Sequence, residues 1–98
     1  MFGVTINVER LSHLPAEVKV MVVEAMTLVG EVREAAKGRG FELGLTGKAQ
    51  LRDDCNDIER RIEKLYKKNY KEKYVKELEL AIVRLRTTAG ALLGFGKN

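Results

Sequence analysis

Polar and apolar positions alternate at the start of the chain and then shift to a longer period. Phe2, Val4, Ile6 and Val8 stand against Gly3, Thr5, Asn7 and Glu9, and this period of two predicts a short strand or extended arm over residues 1–11. No second stretch alternates in this way, so such a strand would need a partner from another subunit or protein for its backbone groups. From Pro15 the spacing becomes helical. Val18, Met21, Val22, Ala25, Met26, Leu28, Val29 and Val32 form a broad apolar face, and Glu17, Glu24, Thr27, Glu31 and Glu34 a polar one, which predicts a central helix over 15–37. Proline suits its first turn, and Glu17 complements the positive end of its dipole.

Residues 38–47, GRGFELGLTG, hold four glycines and are predicted as a Gly-rich loop. Two stripes at steps of three and four follow. Leu51, Cys55, Ile58, Ile62 and Leu65 predict a helix over 48–67; Leu78, Ile82, Leu85, Ala89 and Leu92 predict another over 71–92, with 93–98 as a tail. The second stripe begins one residue short of two full heptads after the first ends, so one straight helix would point them to different sides. Tyr66, Tyr70 and Tyr74 fill the gap at steps of four. A hairpin turning near Asn69 and one long helix whose apolar face precesses through the tyrosines both satisfy this spacing. The fold class is mainly α: a three-helix bundle, or a helical hairpin on a central helix, with a short N-terminal strand or arm. A homo-oligomer is expected to bury what remains apolar on residues 18–32.

Length and composition fit one small folded domain, 45% apolar and 33% charged with a single proline. Cys55 is the only cysteine, so no internal disulfide can form. The N-terminal stretch lacks the order of a secretory signal, and no apolar run is longer than Val20 to Val23, which is far too short to cross a bilayer. The expectation is an intracellular protein without a membrane span, cytoplasmic or carried in a virion.

Charge is concentrated rather than spread. The chain is +4 overall, and residues 59–76 carry eight Lys/Arg against Glu59, Glu63 and Glu72. This stretch favours acidic partners. Its centre, KLYKKNYKEKY at 64–74, interleaves lysines with tyrosines, a combination that can neutralise phosphates and stack unpaired bases. The candidate nucleic-acid-binding residues are therefore Arg60, Arg61, Lys64, Tyr66, Lys67, Lys68, Tyr70, Lys71, Lys73, Tyr74 and Lys76, with RNA or single-stranded DNA as the ligand. The competing reading is a solvated helical tip, with lysine stems and phenol rings covering the end of a bundle.

Catalytic constellations are scarce. His13 is the only histidine, which excludes a several-imidazole metal site and the usual Ser/His/Asp or Cys/His arrangements within one chain. Cys55 lies on an apolar stripe and reads as a buried, inert thiol. Gly47-Lys48 lacks the earlier glycine and following Ser/Thr of a P-loop, having Glu42 and Ala49 instead. No cofactor or metal is expected, and the chain reads as a non-enzymatic assembly or adaptor protein working within a larger protein complex.

Three family resemblances bear on this reading. Glu31 and Glu34 with Asp54 and Asp57 give an ExxE…DxxD spacing that resembles the magnesium-binding pattern of all-helical nucleotide pyrophosphohydrolases of the MazG type, whose second pair reads ExxD. That resemblance implies hydrolysis of nucleotides with magnesium. Ile6-Asn7-Val8, Leu11, Leu14-Pro15, Val18, Ala25, Ala35-Ala36-Lys37, Thr46-Gly47 and Leu51-Arg52 look like the opening half of phage head–tail-joining or tail-completion proteins. This implies a ring-forming structural subunit without a catalytic site. It stops at residue 52, since that family continues in strands where residues 53–92 read as helices. Phe41-Glu42-Leu43-Gly44, Leu85-Arg86 and Gly90-Ala91-Leu92-Leu93-Gly94-Phe95 resemble the accessory helical-bundle proteins of diversity-generating retroelements, which implies a basic oligomer engaging a reverse transcriptase and RNA.

Overall fold

The computed structural model describes residues 11–94, and of residues 39–42 only the backbone. Ala16–Leu65 is helical except at Gly44, where φ 69° and ψ −178° break the helix. The break divides it into α1 (residues 16–43) and α2 (residues 45–65). A turn over residues 66–71 leads to α3, Glu72–Leu93. The helical hairpin therefore replaces the single long helix over 48–92.

Cross-helix contacts give the register. Arg33 of α1 reaches Glu59 of α2 at 2.7 Å, and the Tyr66 hydroxyl reaches Met26 Sδ at 3.9 Å. A step of seven residues back along α1 is matched by seven forward from α2, as antiparallel packing requires. Arg61 to Glu77, Asp57 to Arg84, and Gly47 against Leu92 run oppositely along α2 and α3, a second antiparallel pair.

The three stripes meet inside. Val18, Val22, Ala25, Leu28, Val29 and Val32 of α1 are buried with Leu51, Cys55, Ile58, Ile62 and Leu65 of α2, while α3 contributes Val75, Leu78, Ala81, Ile82, Leu85, Ala89 and Leu93. Each stripe gains by leaving water together with the others, at roughly 25 cal/mol per Å² of apolar surface.

One expectation is corrected, and another falls almost wholly outside the described residues. Residues 38–47 are not a Gly-rich loop: 38–43 and 45–47 are helical, and the interruption shrinks to Gly44. Gly47 is buried, and a Cβ there would lie 3.1 Å from Leu43 Cβ and 3.7 Å from Leu92 Cδ1. Its lack of a side chain relieves crowding against Leu43 at the end of α1, just across the Gly44 break, while Leu92 of α3 lies at ordinary contact distance. The expected arm over 1–11 lies outside the described residues except for Leu11, which is helical and buried. Among the described residues there is no strand.

The helix ends are closed by local chemistry. The Leu11 carbonyl accepts from Leu14 N at 3.0 Å, and the Pro15 carbonyl accepts from Val18 N and Lys19 N, both at 3.0 Å. Leu11 and Leu14 are buried. His13 Nε2 donates to the Leu65 carbonyl at 2.9 Å, satisfying an acceptor in the last turn of α2. The helix α3 ends in a left-handed glycine, Gly94 (φ 69°, ψ 13°), whose N–H bonds the Gly90 carbonyl at 3.1 Å.

Candidate nucleic-acid interface

Chain reversal at 66–71 brings the last turn of α2 and the first turns of α3 to one end of a molecule measuring 42 × 26 × 26 Å. The eleven sequence-selected residues fall into three groups there. Lys67, Lys68, Lys71, Lys73 and Lys76 are exposed, and Lys64 is half-buried. None of these six lysines makes an ion pair among the described residues. Lys71 precedes α3 as its N-cap residue without a side-chain cap, and Glu72 in the first turn offsets part of the helix's positive dipole end.

The arginines behave differently. Asp57 Oδ1 accepts Arg60 Nη2 at 3.1 Å and lies 3.3 Å from Arg61 Nε; Asp57 Oδ2 lies 3.7 Å from Arg84 Nη1; and Arg61 Nη1 bonds Glu77 at 3.0 Å. Arg60 and Arg61 belong to an ion-pair cluster linking α2 to α3, so less of their charge is directed outward than that of the lysines.

The tyrosines pack against the core rather than forming an open platform. Tyr66 donates to Met26 Sδ, and Tyr70 meets the His13 ring edge-on with centroids 6.1 Å apart. The Tyr74 ring carries the ammoniums of Lys64 at 5.1 Å and Lys73 at 5.7 Å. Aromatic faces thus help hold lysines in place at the tip.

The ExxE…DxxD carboxylates disperse. Glu34 pairs with Lys37 at 3.7 Å, Asp57 serves the arginine cluster, and Asp54 is buried. Asp54 Oδ1 accepts from Gln50 Nε2 at 3.2 Å, while its Oδ2 has no partner. Among the described residues, no three His, Cys, Asp or Glu side chains lie close enough to hold a metal ion. No helix of the described residues is long and apolar enough to cross a membrane.

A second basic region went unread in the sequence. A groove of about 290 Å³ between α1 and α2 has an apolar floor of Val32, Ala36, Leu51 and Cys55, and Arg33, Lys37, Lys48 and Arg52 on its rim. Each helix supplies two cations four residues apart, and that spacing was the available signal. Arg33 is held by Glu59 through two contacts, 2.7 and 3.2 Å, and its charge is thereby partly satisfied.

Burial pushes the Cys55 thiol up to about 11; Glu59 and Asp54 push it the same way, against the pull of Arg33. The folded chain then holds a proton that an unfolded thiol, titrating near 9, releases. The stabilising contribution is full below pH 9 and is lost as pH rises towards 11. Urea midpoints of the native chain are expected to fall more steeply over that interval than those of Cys55→Val, and parallel slopes would contradict this.

No protein-family model, curated protein or solved structure matches the chain.

Proposed function

We propose that the chain is a non-catalytic helical adaptor that contacts the phosphates of RNA or single-stranded DNA with its hairpin tip, within a larger complex. The observation supporting this is the cluster of six lysines at residues 64–76 without acidic partners among the described residues, beside arginines that have them. An ammonium without an acidic partner breaks no ion pair when it meets a phosphate, and each phosphate neutralised releases counterions. Ammoniums on flexible stems read charge rather than base identity, so the contact is independent of sequence. The tyrosines act in this reading chiefly by holding the tip, since their rings are already engaged.

Binding of the native chain to RNA and DNA oligonucleotides at two salt concentrations provides the test. Affinity is expected to fall with salt, and Lys67→Glu with Lys71→Glu to weaken binding at least tenfold while lowering the salt slope by about 2. Both residues are exposed, so the circular dichroism of the variant should match the native chain. Absence of binding at low salt, or a charge reversal without effect, would overturn the reading. Ring assembly together with indifference to nucleic acid would favour a phage joining subunit instead.

A further inference from the structure

The apolar face of residues 18–32 expected to hold subunits together is largely consumed by the chain's own bundle, but α3 keeps a second face. Leu80 and Val83 are 65% and 58% exposed. With Lys76 and Thr87, both exposed, they recur at steps of four, three and four, on the side of α3 facing away from Leu78, Ile82, Leu85 and Ala89. This is the spacing of a coiled-coil seam facing solvent.

We infer that this face of α3 binds the same face of a second copy, antiparallel, as a two-fold dimer. The charges flanking the seam carry the assignment. Glu79 and Arg86 border one side, and neither has an ion-pair partner among the described residues. Glu77 and Arg84, which also pair with Arg61 and Asp57 of their own chain, border the other side. When Leu80 packs against Val83 of an antiparallel copy, Glu79 falls opposite Arg86 and Glu77 opposite Arg84, and the two-fold axis repeats both pairs. Lys76 then meets Thr87. A parallel pairing would set Lys76 against its own copy and Glu72 against Glu77, so like charges oppose it. The other exposed apolar pair, Val20 and Val23 on α1, is flanked by Glu17 and Glu24, which would face each other in the equivalent antiparallel arrangement. Of these two pairs among the described residues, the α3 face is the one complementary to itself. Two apolar residues per copy make a small interface, of the weak and concentration-dependent kind.

Sedimentation equilibrium of the full chain over a concentration series is expected to show 11.0 kDa chains associating into dimers, less so at high salt. Leu80→Lys should leave the helical circular dichroism unchanged and abolish association. Glu79→Arg alone places a second positive charge opposite Arg86 and should weaken association at least tenfold; Glu79→Arg with Arg86→Glu should restore it. In a parallel dimer Glu79 would instead meet Arg84, and the double swap would not restore association. A monomer at every concentration, association indifferent to Leu80→Lys, or failure of the double swap would each overturn the inference.

Discussion

Ile58→Ala is expected to remove about 2–5 kcal/mol of stability, a large share of the roughly 5–15 kcal/mol that holds a domain of ordinary size folded. Ile58 is fully buried in the middle of α2, among the largest side chains of the core. Truncation there loses the transfer free energy of the missing carbons and leaves a cavity between helices that are tied together elsewhere. The Arg33–Glu59 pair and the Asp57 cluster lie within one residue of it on α2 and hinder collapse into the space. Denaturant titration followed by circular dichroism would read the loss as a lower midpoint at unchanged slope. Leu80→Ala provides the contrast, because its side chain already faces water and the expected change for the isolated chain is within about 0.5 kcal/mol. Equal losses in the two variants would mean that the core is not where the buried stripes place it.

At Gly44 the expected cost is conformational alone. Its φ of 69° with ψ of −178° lies in a region essentially reserved for glycine, and a Cβ added there would meet nothing within 4 Å. Gly44→Ala should therefore destabilise by roughly 1–3 kcal/mol with no steric contribution. Chirality separates this from any other cause. A D-alanine introduced at position 44 by chemical synthesis has the mirror-image preference, fits the same dihedrals, and restricts the unfolded chain, so it should stabilise by about 0.4–1 kcal/mol. Thermal unfolding of the two isomers would measure the difference. Identical behaviour of L- and D-alanine would refute the assigned backbone conformation.

Much of the fold was legible in the sequence because its evidence is periodic. Leu51, Cys55, Ile58, Ile62 and Leu65 all proved buried, as did Leu78, Ile82, Leu85 and Ala89, since steps of three and four have one main geometric solution when another apolar stripe is available. The glycines misled for the opposite reason. A local rule reads four glycines in ten residues as a loop, but packing can override a helix penalty of about 1 kcal/mol each, and at Gly47 a side chain would crowd Leu43 across the α1–α2 break. Asp54 was read only as part of the ExxE…DxxD spacing, although the period already placed it inward, three residues after Leu51 and four before Ile58. Residue type was weighed over position there. The tip was legible in charge but not in partnership: the sequence shows eight cations over 59–76, whereas only the fold shows that Asp57 and Glu77 engage the arginines while the lysines have no acidic partner among the described residues.

The two connections of the bundle leave very different amounts of chain to vary. Helices α1 and α2 reverse through one residue of special conformation, while α2 and α3 are joined by the six residues 66–71. An insertion beside Gly44 would displace the contact of Gly47 with Leu92 and every core position beyond it. An added residue among the exposed Lys67, Lys68 and Asn69 would lengthen a surface turn at a small entropic cost. Sequence drift is therefore channelled to one pole: the basic tip can change in length and charge, and so acquire new partners, while the helices that carry it stay in register.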